Sequence, residues 1–211
     1  MSATDSAWSK VIEALEGERL SVVISGGETL RLKERLSSFG VEAEVVSVDN
    51  GRAACRSAAL LDAFEKTSGE YIYILDGDSE ANLERLPAFF AEMVKKGADV
   101  VIGSKRHPKS DTVYPIRRRF LSWAYYLFVR LFIGLKVTDT QTGVKLFRRE
   151  VLKYALERML SKTGAFDLEL LTIAAGRGAT IVEAPITSPG GSSFGKADPS
   201  FVKPLVNDTL A

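Results

Sequence analysis

Cysteine, net charge and long hydrophobic runs are all scarce in this chain. Its single cysteine, Cys55, excludes an intramolecular disulfide and a cysteine-based zinc cluster, and it agrees with a reducing compartment. Lys and Arg total 28 against 27 Asp and Glu, so the chain lacks the polyelectrolyte character that would point to a nucleic-acid partner. Any anionic partner must therefore meet a local basic patch.

No apolar run reaches the roughly 20 residues that a membrane-spanning helix needs. The nearest is Phe120 to Ile133, which is too short and contains Arg130. The stretch from Met1 to Lys10 lacks the basic-then-apolar pattern of a signal peptide, so we do not expect export. A length of 211 residues with 45% apolar residues suits one sizeable α/β domain, residues 1–211.

Short apolar strands alternate with helical patterns in the first half of the chain. The predicted strands are 20–24, 45–48, 71–75 and 99–103, and the predicted helices are 28–38, 52–66 and 83–96. This alternation predicts a mostly parallel sheet with helices on both faces, a three-layer α/β/α arrangement.

After Gly103 the alternation stops. We predict a loop at 105–115, a basic and aromatic helix at 114–135, helices at 151–160 and 166–175, a late strand at 180–183 and a mobile tail at 188–211.

The tripeptide Asp76-Gly77-Asp78 directly follows the apolar run Tyr71 to Leu75, which is typical of a strand buried on both faces. Ligands of open α/β sheets bind beyond the carboxyl ends of such strands. Two aspartates separated only by glycine can turn their oxygens toward one divalent cation, and Mg²⁺ and Mn²⁺ prefer oxygen ligands. The tripeptide alone also fits a plain acidic turn, because Asp and Gly are common turn residues.

Several segments, in the same order along the chain, resemble the family 2 glycosyltransferases and, within them, the polyprenyl-phosphate (dolichyl-phosphate) hexose synthases. The similarity covers about residues 43 to 187, and its most specific part is the block Asp139 to Phe147. The matching segments are 50–54, 68–78, 99–105, 139–147 and 166–171.

The resemblance implies a Rossmann-like GT-A fold, a nucleotide-sugar donor (UDP- or GDP-hexose) and a divalent cation, Mg²⁺ or Mn²⁺. It implies transfer of the hexose, with inversion, to a polyprenyl phosphate by a cytoplasmic protein that is peripheral at the cytoplasmic face of the membrane. Residues 20–104 would then form the nucleotide-sugar and metal half, and residues 105–187 the acceptor half. The Asp139 block is slightly closer to the glucosyl than to the mannosyl branch, and a homo-oligomer is compatible with the pattern.

Matched by position, the resemblance gives roles to individual residues. Asp76, Asp78 and Lys105 would be catalytic, with the metal held by Asp78 and Glu80. The donor-binding residues would be Glu28, Asp49, Asn50, Arg52, Asp76, Gly77, Asp139 and Gln141. The acceptor phosphate would be bound by Lys105, Arg106, Arg117, Arg118, Arg119 and Ser122, and Lys145, Asp167 and Glu169 would contact the sugar or the acceptor.

Several of these residues also have simpler interpretations. Arg117 to Arg119 fit a solvated basic turn, and the helix Phe120 to Val129 fits either a membrane interface or a core or dimer contact. Lys145 alternates with apolar neighbours and fits the exposed face of a short strand. Asp167 and Glu169 fit a helix start, where carboxylates interact favourably with the helix dipole.

The chain also departs from the family pattern. Lys105 stands where the family usually has arginine, which keeps the charge but loses the planar bidentate fork. The run Val45 to Val48 leads directly into Asp49-Asn50-Gly51, so about one strand and helix unit is missing, with the acids expected to hold the base and ribose. We expect Asp49 to replace them in part.

The family's membrane helices have no counterpart here, so we expect a soluble or peripheral protein or a shortened piece.

These departures from the family pattern leave two other functions open: a degenerate glycosyltransferase-like binding module, and a sugar nucleotidyltransferase. The second is weakened because Glu28, and no Gly-rich basic loop, follows Gly26-Gly27.

Overall fold

The structure of this chain is a computed structural model that describes residues 3–26, 28–48, 56–111, 126–127, 129–160 and 166–187. The strands are β1 (Leu20–Ser25), β2 (Ala43–Val48), β3 (Tyr71–Asp76), β4 (Val100–Ser104), β5 (Val144–Arg148) and β6 (Ile181–Pro185). The α-helices are α1 (Ala3–Leu15), α2 (Thr29–Ser38), α3 (Arg56–Glu65), α4 (Leu86–Lys96), α5 (Arg149–Leu156) and α6 (Phe166–Gly176). A 3₁₀ helix covers Gly77–Arg85, and a π-helix covers Val129–Ile133.

Helix α4 shows how local sequence sets an element's limits. Pro87 lies in its first turn, where a missing backbone N–H costs nothing. The helix is followed by Gly97, whose left-handed φ of 58° suits a residue without a Cβ atom. Between these ends, Phe89, Phe90 and Met93 form its buried face.

The six strands form one sheet in the order β2-β1-β3-β5-β4-β6. Strand β1 runs parallel to β2 and β3, and β4 runs parallel to β6. Strand β5 is antiparallel to both of its neighbours, β3 and β4. The beginning of β5 therefore lies at the same edge as the carboxyl ends of the other five strands. We call this the carboxyl edge and the opposite one the amino edge.

Helices cover both faces of the sheet, and each face has its own hydrophobic core. One core joins α1, α2 and α4 to the sheet through residues such as Trp8, Leu36 and Phe89. The other joins α3, α5 and α6 through residues such as Leu60 and Leu171. A central strand with helices on both sides favours apolar residues on both of its faces, which explains the uninterrupted apolar run Tyr71 to Leu75 of β3.

The predicted three-layer α/β/α arrangement is confirmed, with corrections. The antiparallel direction of β5 and the first helix, α1, are not predicted by the local patterns. The helix predicted at 151–160 is shorter, at Arg149–Leu156, and the one predicted at 83–96 begins as the 3₁₀ helix. Of the basic and aromatic segment 114–135, only 126–127 and 129–135 are described, and the 188–211 tail lies outside the described residues. No helix in the described ranges is long and apolar enough to cross a bilayer.

Candidate active site

The acidic tripeptide lies at the carboxyl edge, as predicted. Asp76 is the last residue of β3 and is paired in register with Ser25, the last residue of β1. The 3₁₀ helix begins at Gly77, so the chain turns away from the sheet within one residue of the strand end. The side chains of residues 76–80, including Asp76, Asp78 and Glu80, lie outside the described part. Among the side chains that the structure describes, no group of three His, Cys, Asp or Glu residues is placed to hold a metal ion.

A pocket lies against the ends of β1, β2 and β3, on the face covered by α3 and α6. It encloses about 420 Å³, part of which is open to solvent. Its walls are Val23, Ser25, Val48, Leu60, Ile74, Gly143, Lys145, Phe166, Asp167 and Leu170. The pocket is thus mostly apolar, with one hydroxyl and one pair of opposite charges.

That pair joins β5 to α6. Lys145 Nζ lies 2.7 Å from Asp167 Oδ1 and also donates a hydrogen bond to the carbonyl oxygen of Thr142. The Lys145 side chain is only 2% exposed, so the interpretation of Lys145 as the exposed face of a strand is wrong. The physical reason is that both faces of the sheet are covered by helices, which leaves β5 without a solvent face. A buried lysine needs such a partner because an unpaired charge is costly away from water.

Asp139 lies at the same edge, in the segment that precedes β5. Its Oδ2 accepts a hydrogen bond of 3.2 Å from the backbone N–H of Lys105. Burial raises the pKa of the Asp139 carboxyl, while the Lys105 charge and that hydrogen bond oppose the increase. Next to it, the buried Thr140 Oγ1 has no hydrogen-bond partner among the described residues. Gln141 is exposed.

The basic residues of the loop after β4 lie beside Asp139. Lys105 and Arg106 are both half-buried. The guanidinium of Arg106 lies 5.8 Å from the centre of the Tyr126 ring, within the range of a cation–π contact. Both basic residues therefore lie at the carboxyl edge.

Two further predicted residues lie at other places. Glu28 is an exposed residue at the N-cap of α2, and its side chain makes no cap hydrogen bond. Glu169 Oε1 accepts a hydrogen bond of 2.8 Å from the backbone N–H of Leu160, so Glu169 contacts the chain that precedes α6. The remaining predicted residues, Asp49, Asn50, Arg52, Arg117, Arg118, Arg119 and Ser122, lie outside the described residues.

One residue at this edge was not predicted. Glu183 of β6 accepts hydrogen bonds from Thr138 and Asp139 with a single carboxylate oxygen. The sequence contains one sign of this residue, namely a carboxylate between the apolar residues Val182 and Ala184 of a strand. Its partners are more than forty residues earlier in the chain, where no local pattern reveals them.

Comparison with known proteins agrees with this geometry. The model of the family described as "Glycosyl transferase family 2" matches residues 21–155, which include β1 to β5. An undecaprenyl-phosphate mannosyltransferase from Micrococcus luteus is 35% identical over 115 residues, which are 54% of this chain and 46% of that protein. A polyprenol monophosphomannose synthase from Mycolicibacterium smegmatis is 35% identical over 116 residues, which are 54% of this chain and 43% of that protein. The chain spans about half the length of the curated relatives it matches.

The fold also matches a solved structure. Glucosyl-3-phosphoglycerate synthase from Mycobacterium tuberculosis, in complex with Mn²⁺, UDP and phosphoglyceric acid, superposes with a TM-score of 0.64 at 14% identity. The superposition covers 96% of this chain and 80% of that one. The six-stranded mixed sheet flanked by helices is thus a GT-A fold.

Proposed function

Since this chain belongs to glycosyl transferase family 2, we propose that it transfers a hexose from a nucleotide sugar to a polyprenyl phosphate at the membrane surface. The main observation behind the proposal is that the acidic end of β3, the Asp139 segment and its basic neighbours lie together at one edge of the sheet. The curated relatives support the lipid acceptor, because both are named for polyprenyl-phosphate mannose chemistry.

The acidic tripeptide and Glu80 are proposed to hold Mg²⁺ or Mn²⁺. Their donor atoms are all carboxylate oxygens, which are the ligands that such hard cations prefer. Asp76 ends β3, and Asp78 and Glu80 follow in the first residues of the 3₁₀ helix, at the strand end where α/β folds bind ligands. The bound cation would neutralise the negative charge of a nucleoside diphosphate leaving group. The structural neighbour solved with Mn²⁺ and UDP supports this choice of metal.

The basic residues after β4 are proposed to bind the acceptor phosphate. Lys105 and Arg106 would attract it, and charge-assisted hydrogen bonds to such groups are the strong ones. Arg117, Arg118, Arg119 and Ser122 are proposed to complete this site. A phosphate acceptor is already an anion and needs no strong general base, which suits a chain whose only histidine, His107, is a half-buried loop residue that accepts the Lys109 N–H.

The Lys145–Asp167 pair is proposed to shape the donor pocket. Because the Lys145 ammonium contacts both Asp167 and the Thr142 carbonyl oxygen and faces a mostly apolar pocket, it offers a rigid polar wall to a sugar hydroxyl or a base edge. The donor is proposed to be GDP-mannose or UDP-glucose. The two mannosyl relatives favour mannose, whereas the Asp139 block is slightly closer to the glucosyl branch.

The decisive experiment is a donor and metal screen. The protein is incubated with a polyprenyl phosphate, with GDP-mannose or UDP-glucose, and with Mn²⁺, Mg²⁺ or EDTA, and release of nucleoside diphosphate is measured. We expect metal-dependent release with one donor. Asp78→Ala should lower turnover by about a hundredfold or more and leave the melting temperature unchanged. Absence of release under every combination would refute the transferase proposal.

A degenerate binding module is the second candidate, and the position of β2 favours it. Strand β2 is the edge strand of the sheet and is mostly half-buried. The strand and helix unit that is missing from the sequence would have to be joined to the sheet at that edge. Calorimetric titration with GDP or UDP in the presence of Mn²⁺ separates the two candidates, because a decayed donor site binds neither nucleotide.

A further inference from the structure

A single carboxylate oxygen of Glu183 in β6 binds the segment that leads into β5. Glu183 Oε1 accepts hydrogen bonds from the backbone N–H of Thr138 at 2.7 Å, from the Thr138 hydroxyl at 2.6 Å and from the backbone N–H of Asp139 at 3.2 Å. One carboxylate oxygen thus fixes two consecutive residues of the segment that leads into β5. Hydrogen bonds to a charged acceptor are stronger than neutral ones.

These bonds extend to the loop after β4 by two routes. Along the first, the Asp139 carboxylate accepts the backbone N–H of Lys105. Along the second, Ser104 Oγ lies 3.1 Å from Thr138 Oγ1 and accepts the backbone N–H of Arg106 at 3.2 Å. The backbone N–H groups of both basic residues are therefore bonded to residues that adjoin the Glu183 contacts.

The acceptor oxygen of Glu183 also determines the direction of the hydroxyl hydrogen bonds. A carboxylate can only accept, so the Thr138 hydroxyl must give its single proton to Glu183. The hydroxyl of Ser104 must then donate to Thr138 Oγ1, and its lone pairs are left for the Arg106 N–H. Without an acceptor at position 183, both hydroxyls are free to rotate and this order is lost.

We propose that Glu183 is a positioning residue, which holds the Lys105-Arg106 backbone in the orientation that binds the anionic acceptor. This inference rests on the proposed function for its ligand, a phosphate monoester on a polyprenyl chain. In this proposal Glu183 acts through Thr138, Asp139 and Ser104.

The chain provides a matched control at the amino edge. Glu44 Oε2 also accepts three hydrogen bonds, from the Ser21 hydroxyl at 2.9 Å, from the Ser68 N–H at 2.7 Å and from the Ser68 hydroxyl at 3.3 Å. Replacing Glu44 by alanine removes the same number of contacts from the same kind of atom, at the opposite edge of the sheet. A general loss of stability would affect both variants alike.

The test compares Glu183→Ala, Glu183→Gln and Glu44→Ala. Hydrogen exchange of the backbone amides is measured first. In Glu183→Ala we expect exchange at Lys105, Arg106 and Asp139 to be faster by about tenfold or more, whereas Glu183→Gln keeps the acceptor oxygen and stays near wild type. In Glu44→Ala we expect faster exchange near Ser68 only.

The second measurement is the affinity for a short-chain polyprenyl phosphate in detergent, which does not require turnover. We expect Glu183→Ala to bind it about tenfold more weakly, with unchanged affinity for the nucleotide, and Glu183→Gln and Glu44→Ala to bind it as wild type does. Equal losses of affinity for the lipid phosphate in Glu183→Ala and Glu44→Ala would overturn the inference. Unchanged hydrogen exchange at Lys105 and Arg106 in Glu183→Ala would do the same. A wild-type protein that binds the lipid phosphate but never releases a nucleoside diphosphate would instead refute the proposed transfer.

Discussion

The pKa of one carboxylate is shifted at each edge of the sheet, and the two shifts are in opposite directions. At the amino edge, Glu70 accepts the backbone N–H of Arg19 at 3.0 Å, and this hydrogen bond lowers the pKa of the Glu70 carboxyl. At the carboxyl edge, burial raises the pKa of Asp139, and the neighbouring Thr140 hydroxyl is buried without a partner among the described residues. The Glu70 carboxylate at the amino edge is thus paired by the fold itself.

This difference separates scaffold from site. Groups that a fold leaves incompletely paired are where a ligand has most to contribute, and perturbed carboxyl groups are more frequent at functional sites. The contrast predicts that substitutions at the amino edge lower stability alone, whereas substitutions at the carboxyl edge also change binding or activity.

The largest effect is expected from breaking the buried ion pair at the carboxyl edge. Lys145→Met leaves the Asp167 carboxylate buried without its cation, and we expect the free energy of unfolding to fall by about 3–5 kcal/mol. Urea denaturation measures this loss. The double variant Lys145→Met/Asp167→Leu should recover most of it, because no unpaired charge is left, but it should still bind the nucleotide more weakly. A loss below about 1 kcal/mol in the single variant would contradict the pairing.

Two glycines allow the same substitution at both edges. A Cβ atom at Gly69, on the amino edge, would lie 2.7 Å from the Arg19 carbonyl oxygen and from the Ser21 backbone nitrogen. At Gly103, on the carboxyl edge, it would collide with Ile186 Cγ2, a methyl group on the branched Cβ of a buried side chain. We expect Gly69→Ala and Gly103→Ala each to cost about 2–3 kcal/mol of unfolding free energy.

Activity should separate the same two variants. Gly103→Ala presses on Thr142 Oγ1, which would lie 3.1 Å from the new Cβ, and so disturbs the segment that leads into β5. Steady-state kinetics at a temperature where both variants are folded should find Gly103→Ala slower and Gly69→Ala unchanged. Equal activities in the two variants would contradict the separation of scaffold and site.

A smaller and purely structural effect is expected at Arg149 of the amino edge. Its guanidinium donates to the Thr67 hydroxyl at 3.1 Å and to the Gly69 carbonyl oxygen at 3.0 Å, and it lies 4.6 Å from the centre of the Phe64 ring. Lysine keeps the charge but cannot make the fork. We expect Arg149→Lys to lower the unfolding free energy by about 1–2 kcal/mol, with KM values for donor and acceptor unchanged.

The smallest effect is expected from the charge of Asp139. Because its pKa is raised in the folded state, the folded protein binds that proton more tightly than the unfolded chain does. The associated stability is fully present below the ordinary pKa of aspartate and is lost as the pH rises through the raised value. Asp139→Asn should therefore stabilise the protein slightly at pH 7 and less at pH 4, as measured by melting temperature. A gain in melting temperature that is larger at pH 4 than at pH 7 would contradict the raised pKa of Asp139.

The sequence predicts the parts of this molecule that depend on neighbours in the chain. Strands β1 to β4 and β6 and the placement of Asp76 at a strand end follow from apolar runs and turn residues, and they are confirmed within a few residues. Strand β5 enters the sequence prediction only through the strand interpretation of Lys145. Strand direction cannot be predicted in this way, because the antiparallel β5 has the same local pattern as a parallel strand. The burial of Lys145 depends on Asp167 and on both helical layers, which only the assembled fold brings together. The contacts of Glu183 have the same origin. The roles of individual site residues stay predictions.

The antiparallel β5 gives this domain a natural exchange point. The chain leaves the sheet after Ser104 and returns at Val144, and these two positions lie on adjacent strands, β4 and β5. The whole excursion between them therefore begins and ends at one edge, while the strands that anchor it pair directly with each other. In engineering terms it is a cassette: we expect that a segment of different length can be grafted between the same two anchors if it keeps the bonds of Thr138 and Asp139 to Glu183 and the Asp111 bridge to Thr187.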